Sequence, residues 1–313
     1  MGGIAACLCM ACGGNDSKDY WGNTSGGEGE EPTENPNASK PRYIWIDAAA
    51  NFPDFANSKE NIARDLALAK DAGFTDIVVD VRPTTGDVLF KTNLVDQVKF
   101  MYAWIGSNYT KVERTATWDY LQAFVDEARK QGLRIHAAIN TFVGGNQIDG
   151  GTGLLYRDQS KAEWATQMNM QVGITSVMNT SESTKFFNPA HSEVQTFLCD
   201  LLKDLAGYDL DGIFLDRGRF LNLQADFSDE SRKQFENYMG GIKIPNYPND
   251  ILAPGASSLP ATYPKYLTKW LEFRTKVIYD FMQKARTAVK GVKPGIKFGV
   301  YVGGWYSTYY DVG

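Results

Sequence analysis

No stretch of 18 or more apolar residues occurs in this chain, so no segment of it reads as a membrane-crossing helix. Basic character is lacking too. Thirty-two Lys and Arg stand against 37 Asp and Glu, a formal net charge of -5, with no basic run, and this excludes phosphate-driven binding to nucleic acid as the main role. No Gly-rich phosphate turn follows the first strand-like segment, where AAANFPDF stands instead. No His/Cys/Asp cluster has transition-metal spacing, so neither a metal nor another obligate cofactor is expected. Cysteine is scarce and crowded: Cys7, Cys9 and Cys12 fall in the first twelve residues, where no disulfide framework could use them. Cys199 lies within an apolar helical pattern and reads as a small buried residue.

What is present begins with MGGIAACLCMACGGND, an apolar stretch that runs into small residues and a cysteine before turning polar at once. It resembles a bacterial lipoprotein signal, with Ala11 before the cut and Cys12 as the lipidated residue. The apolar stretch is short and no Lys or Arg precedes it, so the natural start is expected upstream of Met1. Residues 1–12 are thus read as a signal remnant. Residues 13–41, rich in Gly, Asn, Ser, Glu and Pro, have almost nothing to bury and read as a disordered tether.

Residues 42–313 follow a repeating grammar of apolar strand, polar loop, amphipathic helix, glycine and next strand. YIWIDAAANF leads to SKENIARDLALAKDAG, with Ser58 as the cap and Gly73 as the stop. TDIVVDVRP precedes WDYLQAFVDEARKQG, then LRIHAAINTF, and the helix SEVQTFLCDLLKDLAGY delivers DGIFLD. A long helix carrying Trp270, Phe273, Val277, Phe281 and Ala285 on one stripe precedes IKFGVYVGGWY. Continuous apolar strands joined by helices predict a parallel sheet with covered faces. A doubly wound sheet would want the missing phosphate turn. A (β/α)8 TIM barrel explains the polar residues at the strand ends: Asp47 and Asn51, Asp80 and Arg82, His136 and Asn140, Asp216 and Arg219, Trp305 and Tyr306. Only about the first five βα units are present, so three more are expected beyond the C-terminus.

Five segments in order, YIWIDAAANF, VVDVRPTTGDVLF, GLRIHAAINTF, NPAHSEVQTFL and YDLDGIFLDRGRF, resemble the bacterial glycosyl-hydrolase-like TIM-barrel lipoproteins of the kind found in Bacteroidetes, often labelled family 10 glycosylhydrolase or alpha-amylase family protein. The most specific pieces are V-R-P-x-x-G-D (Val81 to Asp87), N-P-x-H (Asn188 to His191) and D-G-I-x-x-D (Asp211 to Asp216). The resemblance implies a glycoside hydrolase that acts on a polysaccharide or oligosaccharide by carboxylate chemistry. It also implies a lipid anchor at Cys12 in the outer membrane of the bacterial cell envelope, with Asp16 and Asp19 resembling a surface-export signal. A carbohydrate-binding lipoprotein without catalysis is the alternative.

In amylase-like barrels the nucleophile ends the fourth strand, where Asp216 stands here; Arg217 and Arg219 beside it would suit a charged carboxylate or orient substrate hydroxyls, and a rim salt bridge is the structural alternative. The chain departs from that pattern at Phe214, where such enzymes carry arginine, and VYVGGWYSTYYDVG lacks the usual acid glutamate. A glycosidase needs two carboxyl groups. The acid is therefore Asp80, Asp87 or a residue further along. Asp47, Asn51, Arg82, His136, Asn140, His191, Trp305 and Tyr306 complete the expected sugar contacts. His136 and His191 read equally as structural residues, and Asp211, at the start of its strand, as structural.

Overall fold

The structure, a computed structural model, describes residues 40–302. Cys12, the expected tether up to residue 39, Trp305 and Tyr306 lie outside the described residues.

The chain opens with β1 (Tyr43–Ile46), a short helix α1 (Phe52–Phe55) and α2 (Lys59–Asp71). Ser58 caps α2 by accepting from the Asn61 amide at 3.1 Å, and Gly73 ends the turn at φ 87°, where a side chain would be strained. β2 (Asp76–Arg82) is buried along its whole length. A hairpin, β3 (Phe100–Ile105) and β4 (Asn108–Glu113), precedes α3 (Tyr120–Lys130), which Asp119 caps. After β5 (Arg134–Asn140) come β6 (Val143–Asn146), α4 (Leu154–Arg157), β7 (Gln167–Met170), β8 (Gly173–Ser176) and β9 (Thr184–Phe186). The last elements are α5 (Ser192–Ala206), β10 (Gly212–Asp216), α6 (Asp229–Tyr238), α7 (Leu267–Val292) and β11 (Lys297–Val300).

Five strands form one parallel sheet in the order β1-β2-β5-β10-β11. The order never reverses, so right-handed crossovers put the connecting helices α2, α3, α5 and α7 on the same face, unlike a doubly wound sheet. That helix-covered face holds the main core. Ile46, Val79, Ile135, Ile139, Ile213 and Leu215 pack there with Leu66, Leu121, Phe124, Leu198, Leu201 and Phe281 from the helices. Each such side chain contributes about 1.5–3 kcal/mol on burial.

The opposite face is concave. Trp45 on β1 and Tyr301 just past β11 come from the two ends of the sheet, yet their ring centroids lie 5.2 Å apart; Tyr43 and Trp45 also meet Phe214, each at 6.1 Å. Five flat strands would span roughly 19 Å. The sheet is therefore coiled as in a barrel wall, and the fold is the first part of an α/β barrel. A second core forms where the segment between β10 and α7 folds back: Phe227, Phe235, Ile251 and Tyr266 pack on Trp270 and Phe273 of α7.

Candidate active site

Alternation along the strands sets which side chains share the concave face. Register pairs Tyr43 with Asp76 and Trp45 with Val78, and one step of the pleat further on Asp47 and Asp80 reach the same end. Asn140 pairs with Asp216 across β5 and β10. Three carboxylates, Asp47, Asp80 and Asp216, thus gather with Asn140 at the carboxyl ends of four neighbouring strands.

Asp80 sits at the centre. Its Oδ1 accepts from the Arg82 amide at 3.2 Å, and the Asn140 amide nitrogen approaches Oδ2 at 3.4 Å. Burial pushes the Asp80 carboxyl up to about 8, and the charges of Asp47 and Asp216 push the same way, against backbone donors at Arg82 and Ala48. At neutral pH Asp80 therefore carries a proton. Asp47 is exposed and fixed by the Ala49 and Ala50 amides at 2.9 and 2.7 Å. Asn51 follows as the half-buried residue before α1.

Asp216 is half-buried, and Oδ1 accepts from the Arg217 amide at 2.6 Å. Arg217 is held at φ 47°, a left-handed conformation that costs roughly 1–2 kcal/mol for a side-chain-bearing residue. The turn swings the chain away directly after the carboxylate. Among the described residues neither Arg217 nor Arg219 forms an ion pair with Asp216, so the rim salt bridge is absent, and Asp216 acts on Arg219 through its charge without direct contact. The exposed Arg219 instead donates to the Phe220 and Leu221 carbonyls and lies over the Phe186 ring at 5.6 Å.

Four other expected site residues are placed elsewhere. His136 is a correction: it is the third residue of β5, fully buried near the amino end of the sheet, with Nε2 2.8 Å from Asp76 Oδ1. Burial lowers the His136 pKa, outweighing Asp76, so the imidazole is neutral. Burial alone would raise Asp76, but bonds from Arg134, Thr75 and His136 take it below the usual carboxylate range. Arg82 is a second correction. A register shift between Asp80 and Arg82 turns its side chain into the core, where its guanidinium donates to the carbonyls of Asn140, Thr141 and Val143, out of a sugar's reach. Asp87 is a third: Arg157 binds both its oxygens and also holds Asp96 at 3.0 Å, a separate ion-pair cluster. His191, half-buried before α5, faces the Trp164 ring at 6.2 Å and belongs to that turn. Asp211 is structural as expected, accepting from the Ile135 amide and Arg129, each at 2.7 to 2.8 Å.

Among the described residues no group of three or more His, Cys, Asp or Glu is arranged to hold a metal ion, and no helix is long and apolar enough to cross a membrane. What the cluster can do is proton transfer: a buried neutral acid beside a more open carboxylate. Sequence reading missed the hairpin β3–β4, whose aromatic face flanks this site. The alternation of Phe100, Tyr102 and Trp104 before a Gly-Ser turn was the available signal.

A family model described as glycosyl hydrolase-like 10 matches residues 40–312. An S-layer-related protein of Niallia circulans is 31% identical over 283 residues, which cover 87% of this chain and 17% of that protein. This chain thus corresponds to a small part of that relative. Alpha-L-fucosidase isoenzyme 2 of Paenibacillus thiaminolyticus has a TM-score of 0.55 at 16% identity, covering 88% of this chain and 34% of the other. The catalytic domain of a beta-amylase from Paenibacillus polymyxa has a TM-score of 0.50 at 13% identity, covering 83% and 65%. At these identities the structural likeness is one of fold.

Proposed function

The chain belongs to the glycosyl hydrolase-like 10 family, and from that premise we propose that it carries part of a glycoside hydrolase in which Asp80 is the acid and Asp216 the nucleophile or transition-state stabiliser. The observation that carries this reading is the divided environment of the pair. Asp80, held up at about 8, keeps a proton to donate to the glycosidic oxygen as the C–O bond breaks. Asp216, one strand beyond Asn140, faces the anomeric carbon, where its negative charge meets the developing oxocarbenium ion. Water then takes the glycosyl group. Asn140, Asp47 and Asn51 are the sugar contacts within reach. Digestion of a panel of polysaccharides and oligosaccharides by the full-length protein tests this, with new reducing ends as the readout.

A second reading, a carbohydrate-binding surface protein without turnover, is favoured by the name of the S-layer-related relative. Binding to a glycan without any release of reducing ends would select it. In either case we propose attachment to the cell envelope through a lipid on Cys12. Cys12→Ser in a chain with its upstream signal should move the protein from the membrane fraction to the soluble one, and membrane retention would refute the anchor.

A further inference from the structure

Beside the carboxylates stands a surface that the proposed chemistry leaves unused. Alternation puts Phe100, Tyr102 and Trp104 on one face of the β3–β4 hairpin, and register sets Trp104 opposite Tyr109. The rings form a row, with Tyr102 and Tyr109 centroids 5.4 Å apart and Tyr109 and Trp104 5.3 Å apart. Met101 and Ala103, on the other face, are buried and fasten the hairpin to the body. The aromatic face points outward, leaving Trp104 68% and Tyr109 56% exposed. Gly106, at φ 62°, opens the two-residue turn that fixes this register.

The row is held in place. The Tyr102 hydroxyl donates to Asp149 Oδ1 at 2.8 Å, and Lys111 Nζ lies 2.7 Å from Asp149 Oδ2. A row fixed before binding loses little entropy when a ligand arrives. Phe100, Tyr102 and Tyr109 line a cavity of about 460 Å³ together with the wall residues Ala49, Thr84 and Asn146. Ala49 and Thr84 follow β1 and β2, and Asn146 ends β6, the strand after β5, so the cavity adjoins the rim that carries Asp47, Asp80 and Asn140. No charged side chain lines it.

We propose that this hairpin face is a binding subsite for a neutral glycan chain, taking sugar units of the substrate beyond the bond that is cleaved. The proposal rests on the glycosidase-like reading of the neighbouring carboxylates and names the substrate class. A pyranose ring presents an apolar C–H face that covers an aromatic ring, while its hydroxyls meet Thr84, Asn146 and Gln147 on the wall. An uncharged lining fits a neutral polymer, since a uronate or sulfated chain would lose water from its anions against these residues, and Lys111, 4.1 Å from the Phe100 ring centroid, is already paired with Asp149.

Affinity electrophoresis of the full-length protein through gels holding dextran, amylose, xylan or galactan, with polygalacturonate as the acidic comparison, tests the subsite. Retardation by at least one neutral polymer is expected, largely unchanged at about 0.5 M salt because neither the polymer nor the lining residues carry a charge. Trp104→Ala combined with Tyr109→Ala should weaken it about tenfold or more. Tyr279→Ala, removing a 61% exposed ring on α7, should leave it unchanged. The melting temperature of each variant controls for folding, and Trp104→Ala alone serves if the double variant unfolds. Retardation by no neutral polymer, equal retardation of the aromatic variants, or retardation confined to polygalacturonate and lost in salt would overturn the proposal. Binding is read here without turnover, so a protein that binds but releases no reducing ends would refute the catalytic reading and leave the subsite standing.

Discussion

Asp80→Asn removes one titration while keeping the size and most of the hydrogen bonding of the side chain. In the native chain burial, then Asp47 and Asp216, hold the Asp80 carboxyl at about 8 against an ordinary 3.8. Between those values the native state keeps a proton that the unfolded state releases. The unfolded state therefore binds fewer protons, and stability falls as pH rises through the window, levelling off above about 8. The span corresponds to on the order of 5 kcal/mol, an upper figure that water entering the open rim reduces. Urea unfolding from pH 4 to 9 should show the wild type losing stability more steeply than Asp80→Asn. By about pH 8.5 the variant should be more stable by roughly 2–5 kcal/mol. The same substitution should lower turnover by about 10²–10⁴ once a substrate is in hand, and the wild-type kcat/KM should fall on an alkaline limb near 8. Parallel stability curves for the two proteins would refute the buried-acid argument.

Asp216→Asn should reduce turnover on the order of a thousandfold or more while leaving the melting temperature nearly unchanged, because Asp216 is half-buried and among the described residues its carboxylate accepts from the Arg217 amide alone. Full activity with clear destabilisation would make it a structural residue. Arg82→Met strands the carbonyls of Asn140, Thr141 and Val143, and should cost about 3–5 kcal/mol in urea unfolding; a loss below about 1 kcal/mol would contradict its buried role. His136→Gln should cost about 1–3 kcal/mol by weakening the Asp76 cluster, with kcat/KM within about twofold of the wild type. A large loss of activity without loss of stability would return His136 to the sugar contacts.

The barrel wall was legible because its signals are local. Buried runs such as DIVVDV and GIFLD show no alternation, and the Ser58 cap and the Gly73 stop lie where a single helix needs them. Asp80, Asn140 and Asp216 could be placed at strand ends for the same reason. Arg82 could not be read correctly, because its inward turn follows from a shift in pairing with β5, a partner some 58 residues away. His136 shares the face of Asn140 by alternation, but only the strand's start at Arg134 shows that it lies deep rather than at the rim. Asp87 looked as available as Asp80 until the fold brought Arg157 onto it, across 70 residues. The aromatic hairpin lay in a segment read as loop, although its alternation was visible.

The most direct test of the central claim is reducing-end release from one glycan by the wild-type chain, Asp80→Asn and Asp216→Asn, each at full length and matched for folded protein. The account predicts release by the wild type, with an alkaline limb near pH 8, and near-complete loss in both variants. Undiminished release by either variant would contradict it.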